Sequence, residues 1–139
     1  MSWDGQELIM EPERLSSFAL FEGLTADELA ACAAPFQEIV VLSDHNVARE
    51  GDAAYAFFIV LDGELDVHHE FQRIRTLRPG DFFGEIGLET SGTRSAHVAA
   101  RGRVTLAKLM AWDYRAMVDR HPLIRDRIAA VIAERSSQP

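Results

Sequence analysis

Pro79–Val98, with the sequence PGDFFGEIGLETSGTRSAHV, is the most informative segment of this chain. Pro79-Gly80 predicts a type II turn, because proline presets the first central dihedral angle and glycine accepts the positive φ that follows. Gly84 lacks a Cβ atom and therefore lets the backbone approach a ligand or another strand closely. Glu85–Leu88 then has room for about one helical turn, whose first amides lack internal partners and point outward. Such amides predict a site for a phosphate-sized anion.

Charged and polar side chains in the same segment indicate which anion this site would take. Arg94 follows Glu85 by nine positions, and its planar guanidinium matches two phosphate oxygens, while Ser95 adds a hydroxyl donor beside it. Glu85 would repel a phosphate, so its natural partner is a sugar hydroxyl, as for the acidic residues that bind ribose in dinucleotide folds. An acidic residue for the ribose together with an arginine for the phosphate predicts a site for a small nucleotide.

The segment FGEIGLETSGTRSA resembles the phosphate-binding cassette of the cyclic nucleotide-binding domain family, including its spacing between glutamate and arginine. EGD at Glu50–Asp52, FFIVLDGELDV at Phe57–Val67 and LRPGDFFGE at Leu77–Glu85 are similar to strand and turn signatures of that family. The similarity covers roughly Leu15 to Arg135. It implies a ligand site formed by Phe83, Gly84, Glu85, Ile86, Gly87, Leu88, Arg94, Ser95 and Ala96.

The resemblance implies a cyclic nucleotide ligand, cAMP or cGMP, and no metal. The frequency of ligands in the family favours cAMP, although Ser95 can hydrogen-bond either a phosphate or a guanine amino group. The purine would lie against inward-facing apolar positions of the barrel such as Val60, Val67 and Val98. These three valines are equally consistent with an ordinary hydrophobic core.

The composition indicates one globular domain without a membrane span. The chain has 139 residues, of which 47% are hydrophobic and 26% charged, and no stretch approaches the roughly 20 apolar residues of a spanning helix. The N-terminus is acidic where a signal peptide would be basic, so we expect a cytoplasmic protein. The net charge of −8 is carried by residues 1–50, which argues against nucleic acid as a partner.

The N-terminal part is predicted to be helical. Leu15–Phe21 suggests a short amphipathic helix that ends at Gly23. Thr25 and Glu28 form a capping-box pattern, which predicts a second helix from about Ala26 to Pro35. The single cysteine, Cys32, lies in this helix among alanines and is expected to be a small buried hydrophobe.

Short β-type segments separated by turn residues fill positions 36–110, as expected of an all-β barrel or jelly roll. The predicted strands are Phe36–Leu42, Asn46–Arg49, Ala56–Leu61, Glu64–His69, Ile74–Leu77, Ser95–Ala100 and Val104–Leu109. Turns are predicted at Ser43-Asp44, Gly51-Asp52, Asp62-Gly63, Pro79-Gly80 and Arg101-Gly102. Asp62-Gly63, between two alternating apolar segments, is typical of a β-hairpin.

The helical period returns after Met110 and predicts two helices, about Asp113–Arg120 and Pro122–Arg135. Ile124, Ile128, Val131 and Ile132 form an apolar stripe on the second helix. Such a stripe is usually core, and in the resembled family this helix either packs on the barrel or closes over the ligand. The predicted fold is thus mainly β with flanking α: a double-stranded β-helix jelly-roll barrel with N-terminal helices and two C-terminal helices. Residues 1–14 and 136–139 are expected to be tails, and residues 15–135 the binding domain.

The resemblance implies a regulatory sensor, and no catalytic motif in the sequence indicates an enzyme. His68 and His69 are adjacent on a predicted strand and point to opposite faces, so they do not form a metal site. The output would pass through the C-terminal helices to an effector protein or a second copy, or the chain is a fragment of a longer protein. Two alternatives stay open: an interaction scaffold with an idle cassette, and a cupin-like metal enzyme.

Overall fold

The structure is a computed structural model that describes residues 10–42, 46–48, 55–84 and 96–136. The described helices are α1 (Glu13–Ser16), α2 (Ala26–Ala33), α3 (Ala111–Arg120) and α4 (Pro122–Ser136), with a 3₁₀ turn at Ala19–Phe21. The described strands are β1 (Gln37–Val41), β2 (Asn46–Ala48), β3 (Ala56–His69), β4 (Gln72–Leu77), β5 (Phe82–Phe83) and β6 (His97–Met110). The predicted turns at Ser43-Asp44 and Gly51-Asp52 lie outside the described residues.

The six described strands form one antiparallel sheet in which β1, β6, β3 and β4 are neighbours in that order. β2 pairs with β6, and β5 pairs with β3. Two helices and the 3₁₀ turn precede the strands in the chain, while α3 and α4 follow them. The predicted fold class, mainly β with flanking helices, is therefore confirmed.

The hairpin predicted at Asp62-Gly63 is wrong, and so is the turn predicted at Arg101-Gly102. β3 and β6 each continue through these positions as one strand, with register shifts around Asp62. Gly63 and Gly102 have φ values of +88° and +78°, so each glycine takes up an irregularity within its strand instead of reversing the chain. A Cβ atom at Gly63 would lie 2.6 Å from the carbonyl oxygen of Arg103. A side chain at this position would therefore clash with the backbone of β6, which explains the glycine.

A hairpin that the residue types do not signal joins β3 to β4. His69 pairs with Gln72, which leaves Glu70 and Phe71 as a two-residue loop with φ values of 51° and 67°. Positive φ at both central residues is the geometry of a type I′ turn, which usually contains asparagine and glycine. The pairing of the two strands thus imposes this conformation on residues that rarely adopt it.

Successive side chains of β3 enter two different hydrophobic clusters. The helix-side cluster contains Met10, Leu15, Leu20, Phe21, Cys32, Ala33, Phe36, Phe57, Ile59, Phe82, Ala107, Leu109, Tyr114, Met117, Val118, Ile124 and Ile128. The barrel-side cluster contains Ala56, Phe58, Val60, Leu65, Val67, Leu77, Phe83, Val98, Ala100, Val104 and Leu106. β3 therefore separates the helices from the barrel interior, as the alternation of a strand requires. Ile124 and Ile128, from the predicted apolar stripe of α4, are core residues.

The N-terminal helix α2 has the predicted cap. The backbone N–H of Glu28 donates to Oγ1 of Thr25 at 3.1 Å, and the N–H of Thr25 donates to Oε1 of Glu28 at 2.9 Å. Cys32 is buried, as predicted. Burial raises the pKa of its thiol to about 11, with a further contribution from the nearby Glu28 carboxylate, so the reactive thiolate is scarce at neutral pH.

A cluster of ion pairs covers the outer face of β3, β4 and β6. Arg101 donates through Nη1 to Oε1 of Glu64 at 3.0 Å and through Nε to Oδ2 of Asp66 at 3.2 Å. Thr76 donates its hydroxyl to Oδ1 of Asp66 at 3.1 Å. The hydrogen bond from Arg101, followed by that from Thr76, lowers the pKa of the Asp66 carboxyl. The cluster joins three strands on the face opposite Val67.

Asp66→Asn is expected to lower the stability of the protein at pH 7 but not at strongly acidic pH. A carboxyl whose folded-state pKa is lowered stabilises the fold above the unfolded pKa of about 3.9, and this contribution disappears as the pH falls through the folded pKa. Urea midpoints of wild type and variant should therefore converge between pH 7 and pH 2. Asp119→Asn, at an exposed carboxylate of α3, controls for loss of one negative charge. A constant difference between wild type and Asp66→Asn over this pH range would contradict the expectation.

Candidate functional site

The structure describes the two ends of the predicted cassette. Phe83 ends β5, Gly84 follows it, and Ala96 directly precedes β6. The remaining predicted ligand residues lie outside the described residues, and these are Glu85, Ile86, Gly87, Leu88, Arg94 and Ser95. The contact of these side chains with a nucleotide therefore stays a prediction, while the way the protein holds the cassette ends can be described.

The turn before the cassette has the predicted geometry. The N–H of Asp81 donates to the carbonyl oxygen of Arg78 at 2.9 Å, and Gly80 between them has a φ of +95°, as a type II turn requires. The Asp81 carboxylate also accepts from the Arg78 N–H at 2.8 Å. Val60 of β3 closes the arrangement, because its carbonyl accepts from Gly80 and its N–H donates to the Asp81 carbonyl, both at 2.9 Å. The entry to the cassette is thus attached to β3.

The two phenylalanines after this turn enter different clusters. Phe82 belongs to the helix-side cluster, and Phe83 belongs to the barrel-side cluster, where its ring stacks on Phe58 with centroids 4.8 Å apart. Gly84 then has a φ of +94°, a conformation that residues with a Cβ atom adopt rarely. Glycine at this position therefore lets the chain leave the core towards the cassette directly after the Phe83 ring.

At the exit from the cassette, the chain returns to the same strand, β3. Ala96 packs against the barrel-side cluster, and Val98 is paired with Val67. Val60, Val67 and Val98, the predicted purine-facing positions, are all buried in the barrel-side cluster. The structure thus brings these valines into one apolar interior next to both cassette ends.

Sequence reasoning missed Arg75, which lies at the edge of this interior. Arg75 of β4 is paired with Val67 of β3, and directly opposite residues share a face of the sheet. Its side chain is half-buried, and the Nε atom is inaccessible to solvent. The sequence signal for this position was the spacing of Arg75 from Leu77, because residues two apart in a strand lie on the same face. Leu77 is a member of the barrel-side cluster.

A cleft of about 620 Å³ lies between β4, the turn before β5, helix α4 and the 3₁₀ turn. This volume is within the range of small-molecule sites, about 300 to 1,000 Å³. Leu77, Phe82 and Val131 give the cleft apolar walls, and Arg75, Arg127 and Arg135 add cationic groups. Helix α4 therefore forms one wall of an open space at the β4 edge of the sheet.

Two arginines attach α4 to the rest of the domain, and sequence reasoning, which considered only its apolar stripe, missed both. Nη1 of Arg127 donates to the carbonyl oxygens of Ala19, Leu20 and Glu22 at 3.0, 3.1 and 2.6 Å. Nη2 of Arg135 donates to the carbonyl oxygen of Phe82 at 2.6 Å. The first contact holds the N-terminal 3₁₀ turn, and the second holds the strand that leads into the cassette.

Within the part of the chain that the structure describes, no group of three or more His, Cys, Asp or Glu side chains could hold a metal ion. In the same part, no helix is long and apolar enough to cross a membrane.

A family model described as "cyclic nucleotide-binding domain" matches residues 38–121, which is more than half of the chain. The chain belongs to this family. Cyclic nucleotide-binding domains are regulatory domains, in general without enzymatic activity. The resemblance of the cassette segment to this family is thereby confirmed.

Curated relatives carry the domain within longer proteins. The cyclic AMP receptor protein of Thermus thermophilus is 30% identical over 121 residues, covering 84% of this chain and 56% of that protein. The cGMP-dependent protein kinase egl-4 of Caenorhabditis briggsae is 31% identical over 93 residues, or 63% of this chain and 12% of that kinase. The chain thus spans about half or less of the length of these relatives.

Solved structures of the family share the fold. The catabolite activator protein of Thermus thermophilus aligns with a TM-score of 0.74 at 31% identity, covering 84% of this chain and 57% of that one. The regulatory domain of Toxoplasma gondii PKA, crystallised with cAMP, aligns with a TM-score of 0.81 at 22% identity over 88% of this chain and 48% of that one. Because the Toxoplasma gondii structure is only 22% identical to this chain, its similarity supports the shared fold alone.

Proposed function

We propose that this domain is a sensor that binds a cyclic mononucleotide in its cassette, with cAMP preferred over cGMP. The observation that carries the proposal is the attachment of both cassette ends to β3, where Phe83 is paired with Phe58 and Val98 with Val67. The cassette segment between them thereby begins and ends beside one buried apolar interior of the barrel. An apolar surface with a few convergent polar groups is the usual form of a small-ligand site.

In this proposal each part of the nucleotide has a matching group in the chain. Arg94 and Ser95 bind the cyclic phosphate together with backbone amides after Gly84, because a guanidinium and oriented N–H groups complement an anion. Glu85 accepts a hydrogen bond from the ribose 2′-hydroxyl. The purine lies against the barrel valines, of which Val67 and Val98 are paired neighbours. The preference for cAMP is supported by the relative named as a cyclic AMP receptor protein.

We further propose that the signal leaves the domain through helix α4 to an effector protein or a second copy of the chain. The support is the position of α4, which packs Ile124 and Ile128 into the helix-side cluster and contacts the cassette entry through Arg135. A ligand can shift such a helix only by the difference in its affinity for two arrangements. Hydrogen exchange with and without cAMP is therefore expected to change for the amides of residues 123–135.

Isothermal calorimetry of the purified protein tests the binding proposal. We expect saturable binding of cAMP, weaker binding of cGMP, and binding of 2′-deoxy-cAMP that is weaker than that of cAMP by about 10- to 150-fold. This range corresponds to a charge-assisted hydrogen bond of roughly 1.5 to 3 kcal/mol between Glu85 and the 2′-hydroxyl. Equal affinity for cAMP and its deoxy analogue would remove the role of Glu85. No binding of either cyclic nucleotide would favour a scaffold with an idle cassette.

A further inference from the structure

We propose that Arg135 is a positioning residue for the cassette: from helix α4 it holds the main chain and the ring of Phe82, and so makes nucleotide affinity depend on the position of α4. This inference deepens the proposed function and rests on it. Arg135 is not assigned any contact with the nucleotide. Its effect passes through Phe82, which is two residues before Gly84.

The contact combines two attractive interactions on one residue. Nη2 of Arg135 donates to the carbonyl oxygen of Phe82 at 2.6 Å, and the guanidinium carbon lies 5.3 Å from the centre of the Phe82 ring. Hydrogen bonds from a charged donor are stronger than neutral ones, and a cation within about 6 Å of a ring centre is attracted to it. Both interactions act on a residue whose side chain is only 6% exposed.

The cassette entry needs such support because strand β5 is short. β5 consists of Phe82 and Phe83, paired with Ile59 and Phe58 of β3, so beyond the two bonds of Val60 to the preceding turn the sheet offers few hydrogen bonds to fix its direction. On its core side the Phe82 ring packs on Phe57, with centroids 5.4 Å apart. Arg135 adds a polar attachment from α4 to the Phe82 carbonyl. The orientation of the chain at Gly84 therefore depends on where α4 lies.

Arg127 provides a natural comparison within the same helix. It lies eight residues before Arg135, hence about two turns away on a similar face, and both arginines line the same cleft. Its described hydrogen bonds go to carbonyl oxygens of the N-terminal segment, Ala19, Leu20 and Glu22. Arg127 thus anchors α4 to a part of the domain distant in sequence from the cassette, whereas Arg135 anchors it to the cassette entry.

The expected consequence is reciprocal coupling between helix and ligand. If docking of Arg135 favours the cassette geometry that binds nucleotide, binding must favour docking of the helix by the same factor. Loss of the contact should therefore weaken binding and also remove the effect of nucleotide on the C-terminal part of α4.

The test compares three variants of the full chain with wild type. Arg135→Met keeps an apolar stem but removes the charge and the donor, Arg135→Lys keeps a charge and a donor, and Arg127→Met is the matched control. We expect Arg135→Met to weaken cAMP affinity by about 5- to 30-fold, the lower part of the range for coupled sites. Arg135→Lys should lie between Arg135→Met and wild type, and Arg127→Met should stay within about 2-fold of wild type despite a lower melting temperature.

Hydrogen exchange of the free proteins gives a second measurement that needs no nucleotide. Arg135→Met should raise exchange at residues 80–84, and Arg127→Met should raise it around residues 19–24 instead. Equal cAMP affinity and unchanged exchange at residues 80–84 in Arg135→Met would overturn the inference while leaving the proposed function intact. An equal loss of affinity in both methionine variants would also overturn it, since Arg135 would then only stabilise α4. If wild type binds no cyclic nucleotide, the proposed function fails, and the coupling inferred for Arg135 fails with it.

Discussion

Arg94→Ala is expected to weaken cyclic nucleotide binding by on the order of 30- to 4,000-fold without unfolding the domain. Truncating one partner of a desolvated charge pair costs roughly 2 to 5 kcal/mol, because the remaining charge is left without its counter-charge. In the proposed site this remaining charge is the cyclic phosphate. The fold should survive, because the sheet and both hydrophobic clusters of the described residues are formed without Arg94.

Calorimetric titration of folded Arg94→Ala with cAMP measures this effect, and circular dichroism verifies the fold. Arg103→Ala is the matched control, since Arg103 is an exposed arginine of β6 outside the cassette. It removes the same charge from the protein and should change cAMP affinity little. An Arg94→Ala protein that binds cAMP as wild type does would exclude the phosphate role of Arg94.

Phe57→Ala is expected to destabilise the protein by about 3 to 5 kcal/mol, the usual loss for removing a buried aromatic ring. Phe57 is fully buried, and its ring lies 5.0 Å from that of Tyr114 on α3 and 5.4 Å from that of Phe82 on β5. The substitution would therefore leave a cavity where the sheet, a C-terminal helix and the cassette entry meet. Because domains of this size have a stability of about 5 to 15 kcal/mol, the loss is a large fraction of the total.

Chemical denaturation measures this loss, and a second, solvent-exposed phenylalanine serves as control. Phe71 lies in the loop between β3 and β4 and is fully exposed, so Phe71→Ala should change stability by about 0.5 kcal/mol or less. Should Phe57→Ala fail to fold, Phe57→Leu gives a smaller loss of roughly 1 to 2 kcal/mol that can still be measured. Equal stabilities of Phe57→Leu and wild type would show that the Phe57 ring does not stabilise the packing of α3 on the sheet.

The turn that leads into the candidate site could be predicted because its signal is local. The turn at Pro79-Gly80 depends on two residues whose backbone preferences are intrinsic, and the structure has it with the expected positive φ at Gly80. Gly84 is also at positive φ, which was not predicted from the sequence, while the close approach predicted there stays a prediction. The roles of Glu85 and Arg94 rest on the cassette motif and stay predictions, since both lie outside the described residues.

The arginines of the site could not be predicted from local patterns. Arg75 is placed beside Val67 by the register of two strands, and Arg127 and Arg135 meet carbonyl oxygens more than fifty residues away in the chain. An arginine on a helix surface has the same local sequence context whether it points to solvent or to a carbonyl group. Its partner is decided by the packing of the helix.

The amino-acid sequence by itself determined the alternation of helical and β-type segments, the cap of α2, the turn at Pro79-Gly80 and the family, because each depends on neighbouring residues or on a contiguous motif. Tertiary structure decided the backbone conformation at Asp62-Gly63, a dipeptide that by itself favours a hairpin turn. Pairing of β3 with β6 keeps the strand extended through Gly63 and places the hairpin at Glu70-Phe71 instead. The physical reason is that backbone hydrogen bonds and burial along two fourteen-residue strands outweigh the small preference of a dipeptide for a turn.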